Sequence, residues 1–457
     1  MMASTLSQSP QDASATQQPA NQGPASHAPA HVRAISPYRA GKPIEELARE
    51  YGLDPARIVK LASNENPLGV PASAQRAMSE AARDLGRYPD SNGSDLKDAL
   101  ARKHQVPSLW ITLGNGSNDI LELAARAFLQ PGLGAIYAEH AFAVYALATQ
   151  AIGARHVVVP ARALGHDLDA MAAAIDDDTR IIFVANPNNP TGTFLPAERL
   201  EAFFDAVPRR VAVVLDEAYS DYLPPALRVD SALWVRRYPN LIVSRTLSKA
   251  YGLAGLRVGY AIAQDGISDL LNRLRQPFNV NSLALAAAQA VLDDEAYLAR
   301  SYDLNRRGLE QLQSAFAAMQ LPYVPSYANF VLVEVGDAAS VYAALLREGV
   351  IVRPVANYGL PTWLRVSVGM QEENARFLDA LARALGRAPA TGAQRGLREV
   401  SDGPCEASDG LREVSEGLRE ATDEPCGHPS SGKEALSHAG EPGTGEERLR
   451  ARLSATP

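Results

Sequence analysis

Uninterrupted apolar runs recur at residues 181–185, 211–215 and 241–244, and helical stretches such as 119–128 and 196–206 fall before and between them. Continuous apolar strands separated by helices are the signature of a mostly parallel sheet covered on both faces. The character changes beyond residue 285. A long helical segment leads to residues 329–335, which alternate like a half-exposed strand. A helix over 338–348, short strands near 350–353 and 364–368, and a last helix over 372–385 follow. The pattern predicts an α/β fold: a mostly parallel sheet sandwiched by helices over 69–285, and a smaller α+β domain over 286–387. An arm over 34–68 is expected to contribute to the smaller domain.

The periodicity stops at both ends. Residues 1–33 are rich in Ser, Gln, Ala, Pro and Asn, and residues 388–457 are low in complexity. The hexapeptide Gly396-Leu397-Arg398-Glu399-Val400-Ser401 returns at 410–415 and, varied, at 417–422. Neither end can bury enough apolar surface to offset the entropy of ordering, so both are expected to be disordered. The repeats are far shorter than the ~20 residues of a solenoid unit. A weak partner-binding segment is the alternative reading of the tail.

Composition narrows the function classes. A chain of 457 residues is long enough for two domains with sizeable cores. The formal charge of −8 argues against a nucleic-acid partner, which needs a clustered basic surface. No apolar run reaches the roughly 18 residues that a membrane span needs, and no secretory signal pattern opens the chain. The only cysteines, Cys405 and Cys426, lie in the tail, so the body is expected to hold no disulfide, thiolate nucleophile or cysteine metal site. His27 and His31 are four apart, but in a leader not expected to be helical, and no metal site is expected. These features together predict a cytoplasmic enzyme.

Ligands of open α/β sheets bind outside the carboxyl ends of the strands, so the loops there carry the most information. Run 181–185 leads into Asn186-Pro187-Asn188-Asn189-Pro190-Thr191-Gly192, run 211–215 into Asp216-Glu217-Ala218-Tyr219, and run 241–244 towards Thr246-Leu247-Ser248-Lys249. Arg257 follows eight residues after Lys249, and upstream Gly114-Asn115-Gly116-Ser117-Asn118-Asp119 opens a helix. Each piece alone is weak. Together, in this order and at these strand ends, they resemble the aspartate-aminotransferase-like superfamily of pyridoxal-phosphate enzymes (fold type I) from about Pro37 to Leu385. Ser36-Pro37-Tyr38, Leu61-Ala62-Ser63-Asn64-Glu65-Asn66-Pro67 and Arg87-Tyr88-Pro89-Asp90 resemble the histidinol-phosphate aminotransferase branch in particular.

The resemblance implies pyridoxal 5'-phosphate as cofactor, with roles that follow from its chemistry. The cofactor is an electron sink while its ring nitrogen stays protonated, and a buried carboxylate, Asp216, would keep it so. Lys249 would be the covalent attachment point and, once freed, the proton carrier. Gly116, Ser117 and Asn118 at a helix start, Thr246 and Ser248 hydroxyls, and Arg257 would hold the phosphate. Asn189 and Tyr219 would bond the phenolic oxygen, Phe142 would stack on the ring, and Tyr88 would reach the phosphate from the second subunit of a homodimer. His140 is read as a packing or hydrogen-bonding residue. Arg365, with Tyr38 and Arg353, would bind the substrate anion, and Asn189 is also expected to bind substrate. The implied reaction is amino transfer between histidinol phosphate and 2-oxoglutarate, giving glutamate, in histidine biosynthesis. The alternatives are an aromatic amino-acid aminotransferase, a threonine-phosphate decarboxylase, and a cofactor-binding regulator without turnover.

Overall fold

Thirteen strands occur in the computed structural model, which describes residues 23–37 and 41–387. In chain order they are β1 (Val59–Lys60), β2 (Ile111–Gly114), β3 (Gly134–Ala138), β4 (Arg155–Val159), β5 (Thr179–Ala185), β6 (Ala212–Asp216), β7 (Leu241–Thr246), β8 (Gly259–Ile262), β9 (Tyr323–Val324), β10 (Phe330–Glu334), β11 (Val350–Ile351), β12 (Arg353–Pro354) and β13 (Trp363–Ser367). Seven of them form one sheet in the order β2-β8-β7-β6-β5-β3-β4, in which β8 alone runs against its neighbours. The three expected apolar runs are its central strands β5, β6 and β7. Ile181, Ile182, Phe183, Val214, Leu215, Ile242 and Val243 are wholly buried there, because helices cover both faces.

Register decides where the loops leave this sheet. Ala185, Asp216 and Ser244 are cross-strand neighbours, and so are Gly114, Gly259 and Thr246. The parallel strands therefore end flush, and their exit loops open along one edge. Close approach there requires glycine: a Cβ on Gly259 would lie 2.6 Å from the backbone nitrogen of Ser117.

A second, antiparallel sheet has the order β12-β13-β10-β9. Leu312 and Phe316 of the helix Glu295–Ala318 and Phe377 and Leu381 of the helix Gln371–Ala384 pack on its Val331, Val333, Leu364 and Val366. The expectation of a half-exposed strand over 329–335 is wrong. Phe330, Val331, Leu332 and Val333 are all wholly buried. While Val331 and Val333 meet those helices, Leu332 packs with Val355, Tyr358 and Leu360, and Phe330 meets Tyr219 edge-on at 5.3 Å. Both faces are covered, so no polar side remains.

The segment before residue 68 is stitched between the two sheets. β1 pairs in parallel with β11, Leu61 bonds to Ile351 and Ser367, and Asn66 donates to the Ala250 carbonyl and the Ser301 hydroxyl. The leader also departs from expectation. Residues Pro24–His27 form a 3-10 turn and Ala30–Arg33 a short helix that carries His31. Four residues cannot sustain a helix alone. Contact with the helix Ala143–Ile152 holds it, including the bond from Gln150 to the His31 carbonyl. The remainder of the leader, and the repeat tail over 388–457, lie outside the described residues. No helix among the described residues is long and apolar enough to cross a membrane.

Candidate active site

The flush strand ends of the large sheet, the β12–β13 edge of the small one and the arm enclose a cavity of about 280 Å³. Its walls include Ser117, Asn118, Phe142, Asn189, Asp216, Tyr219, Thr246, Ser248, Lys249, Arg257, Arg353 and Arg365. Distant segments thus meet because the parallel strands deliver their exit loops to one edge, and the arm and the β12–β13 pair of the small sheet complete the enclosure.

One end of the cavity is built for a phosphate. Gly116 caps the helix Ser117–Phe128 with φ +79°, and the free N–H groups of the first turn together with the helix dipole favour an anion. Across from it, Arg257 donates to the Ser248 hydroxyl at 3.4 Å and to the Ala254 carbonyl at 3.3 Å. A Cβ on Gly116 would lie 2.5 Å from Nη2 of Arg257, so only glycine lets the guanidinium close on the helix start. Gly116→Ala is therefore expected to weaken pyridoxal-phosphate binding about tenfold through backbone strain and displacement of Arg257. Titration of the cofactor-free protein measures this, and an unchanged affinity would contradict the cradle.

The middle of the cavity holds an acid and an amine. Asp216 is buried, with Oδ2 accepting from the Tyr145 hydroxyl at 2.8 Å and Oδ1 from the Ala218 N–H at 3.3 Å. Burial pushes its carboxyl up to about 6, against the pull of those hydrogen bonds. Its neighbour Glu217 is separately neutralised by Arg245 at 2.9 Å and by the Ser231 hydroxyl at 2.7 Å. Lys249 points its Nζ at the Ser63 carbonyl, 3.1 Å away, and lies 5.9 Å from the Tyr219 ring centre. Burial above all, then Arg365 and Arg257, bring its amine down from 10.5 to about 8. An amine so shifted is neutral in a useful fraction near neutral pH.

Two arginines close the other end. Arg353 and Arg365 are direct partners across β12 and β13, so their side chains leave one face of the sheet together, and both are buried at the cavity. Arg365 donates to Oδ1 of Asn189 at 2.6 Å and to the Ala62 carbonyl at 2.7 Å, with Phe330 beneath its guanidinium at 5.3 Å. Two like charges side by side in a buried place cost stability, and an anion of matching charge offsets that cost.

Four expected residues stand apart from this arrangement. Tyr88 is 82% exposed, stacked on Phe278 at 4.6 Å, and does not line the cavity of its own chain. Tyr38 lies outside the described residues. Asn189 and Tyr219 do flank the cavity, but their polar atoms bond to Arg365 and Asn64 respectively. His140 bonds the Tyr358 carbonyl through Nδ1 at 2.5 Å.

Sequence reasoning passed over Asn64, Ser63 and Tyr145. Asn64 has φ +55° and donates to the Tyr219 hydroxyl at 2.9 Å, while Ser367 and Asn329 hold it from behind. Its own segment, Leu61–Pro67, was the available signal. Tyr145 had none beyond lying one turn after Phe142.

The donor set fits pyridoxal phosphate. A glycine-lined helix start with Arg257 suits its phosphate, a buried carboxylate its ring nitrogen, Phe142 its ring, and a depressed lysine its aldehyde. Comparison with known proteins agrees. The family described as aminotransferase class I and II matches residues 56–381. Histidinol-phosphate aminotransferase 2 of Ralstonia nicotianae is 67% identical over 366 residues, covering 79% of this chain and 98% of that protein. Histidinol-phosphate aminotransferase 1 of Cupriavidus pinatubonensis is 66% identical over 361 residues, covering 78% and 96%. Among solved structures, histidinol-phosphate aminotransferase of Sinorhizobium meliloti in complex with pyridoxal-5'-phosphate aligns with TM-score 0.71 at 29% identity, covering 78% of this chain and 97% of that one.

Proposed function

This chain belongs to the class I and II aminotransferases, and we propose from that membership that it transfers an amino group between histidinol phosphate and 2-oxoglutarate in histidine biosynthesis. The observation that carries the substrate is the buried pair Arg353 and Arg365, adjacent across β12 and β13. Two guanidinium groups in register suit a phosphate dianion, and one of them suffices for the carboxylate of glutamate, so both half-reactions can share the site. The Ralstonia and Cupriavidus relatives carry this activity in their names.

The bound cofactor supplies an electron sink for the bond that breaks at the substrate's amine-bearing carbon. The chain's own residues do the rest. Asp216 would keep the ring nitrogen protonated, and Gly116, Ser117, Asn118, Thr246, Ser248 and Arg257 would anchor the phosphate. Phe142 would cover the ring, and the Asn189 amide and the Tyr219 hydroxyl would bond its phenolic oxygen. Lys249 would hold the cofactor between turnovers, and its freed Nζ would carry the proton from the substrate's amine-bearing carbon to the cofactor carbon that Lys249 had occupied. Its depressed basicity suits both directions.

The functional unit proposed is a cytoplasmic homodimer. Tyr88 projects from the surface, stacked on Phe278, which is 40% exposed. An exposed aromatic pair of this kind suits burial against a second subunit, where Tyr88 would reach the partner's phosphate site. Tyr38 would join Arg353 and Arg365 at the substrate anion.

A half-reaction titration tests the substrate. Cofactor-loaded protein is mixed in turn with histidinol phosphate, phenylalanine and threonine phosphate, without keto acid, and conversion of the cofactor to its amine form is followed by absorbance. Histidinol phosphate is expected to react at least about a hundredfold faster than phenylalanine, the worth of a second charge-assisted contact. A faster reaction with phenylalanine would make this an aromatic aminotransferase.

A further inference from the structure

We propose that Tyr145 is a positioning residue that holds Asp216 ionised and aimed at the ring nitrogen of the cofactor. Tyr145 lies on the helix Ala143–Ile152 and is wholly buried. Its ring stacks on Phe183 with centroids 4.9 Å apart and planes at 9°, and meets Phe142 edge-on at 5.9 Å. These contacts leave the ring one orientation, and that orientation delivers the hydroxyl to Oδ2 of Asp216 at 2.8 Å. The same helix start thus carries both the aromatic that covers the cofactor and the group that orients its counter-ion.

The bond has a direction that matters chemically. A hydroxyl donor stabilises a carboxylate over its protonated acid, whereas burial and the nearby Glu217 favour the acid. A protonated Asp216 could not hold the positive charge on the ring nitrogen. Burial, and then Asp216 itself, raise the Tyr145 hydroxyl well above its ordinary value, so it stays a donor at any working pH. The only other polar contact to the carboxylate oxygens among the described residues is the longer one from the Ala218 N–H, at 3.3 Å. Tyr145 is therefore the stronger of two supports, and phenylalanine would keep its packing while leaving Oδ2 bare.

The inference rests on Asp216 being the partner of the ring nitrogen, and the test separates the two ideas. Wild type and Tyr145→Phe are titrated, cofactor-free, with pyridoxal phosphate and with its analogue carrying carbon in place of the ring nitrogen. Wild type should prefer the natural cofactor, and Y145F should shrink that preference about tenfold while binding the carbon analogue unchanged. In the pyridoxal-phosphate holoenzyme, Y145F should lower kcat about tenfold with little change in KM for the amino donor. A full preference retained by Y145F overturns the role of Tyr145 alone. Equal weakening of both cofactors also overturns it, and makes Tyr145 a shaper of the cavity. Absence of any preference in wild type overturns the Asp216 assignment and the Tyr145 role with it.

Discussion

Lys249→Ala should fold normally yet show no visible absorbance from covalently held cofactor, and its kcat should fall by about ten-thousandfold. The reason is that one nitrogen performs two tasks. Nζ of Lys249 reaches the Ser63 carbonyl from a cavity lined by Asp216 and Arg257, and lies close to Tyr219. Among the cavity residues given above it is the only lysine, so no neighbouring amine takes over the proton transfer. Its low basicity adds a second observable. In the cofactor-free protein only the neutral amine attacks the cofactor's aldehyde. Covalent capture should therefore be slow in acid, rise through the pH of about 8 set by burial and the arginines, and level off above it. A normal free lysine would rise only near 10.5. Retained turnover in K249A would end the proposed mechanism, and a capture rate still climbing well above pH 9, taken as roughly one unit beyond the midpoint, would end the electrostatic account of the amine.

Arg365→Ala should lower kcat/KM for histidinol phosphate about a thousandfold, the scale of removing one partner from a buried charged contact. More than an anion ligand is lost. Oδ1 of Asn189 and the Ala62 carbonyl lose their donor, so the loop after β5 and the arm both loosen beside the cofactor. Arg353→Ala removes a charge from the same face without those two bonds. The two variants should therefore differ in kind. Arg353→Ala should mainly raise KM for the phosphate substrate, whereas Arg365→Ala should also lower kcat. Steady-state kinetics with histidinol phosphate and with glutamate separate these effects. Equal, small losses in both variants would show that the register pair does not bind the substrate anion.

Much of this site was legible before any coordinates. The continuous apolar runs became β5, β6 and β7 because a strand buried on both faces leaves no room for polar alternation. Reading the loops after those runs gave Asn189, Asp216, Thr246, Ser248 and Lys249, and the helix start gave Ser117 and Asn118, all of which line one cavity. The strand over 329–335 was misread because its sequence records only its own side chains. Whether a face meets solvent is fixed by what packs on it, here Val355 and Tyr358 on one side and two helices on the other. Residues 24–33 of the leader were misread for the complementary reason: a segment with no apolar period can still be held by a neighbour, as Gln150 holds His31.

The sequence by itself determined the chemical inventory and the order in which it arrives at the sheet edge. An aspartate at the end of β6, and a lysine and an arginine in the connection after β7, fix which reactions the chain can attempt, because functional-group chemistry is local. Distances and partners were decided only by the tertiary structure. Arg353 and Arg365 are neighbours through strand register, and Asn64 meets Tyr219 across 155 positions through the path of the arm. Tyr145 bonds Asp216 because Phe183 leaves its ring one orientation. Register, packing and the dielectric around a buried charge are properties of many residues at once, and no single stretch of chain contains them.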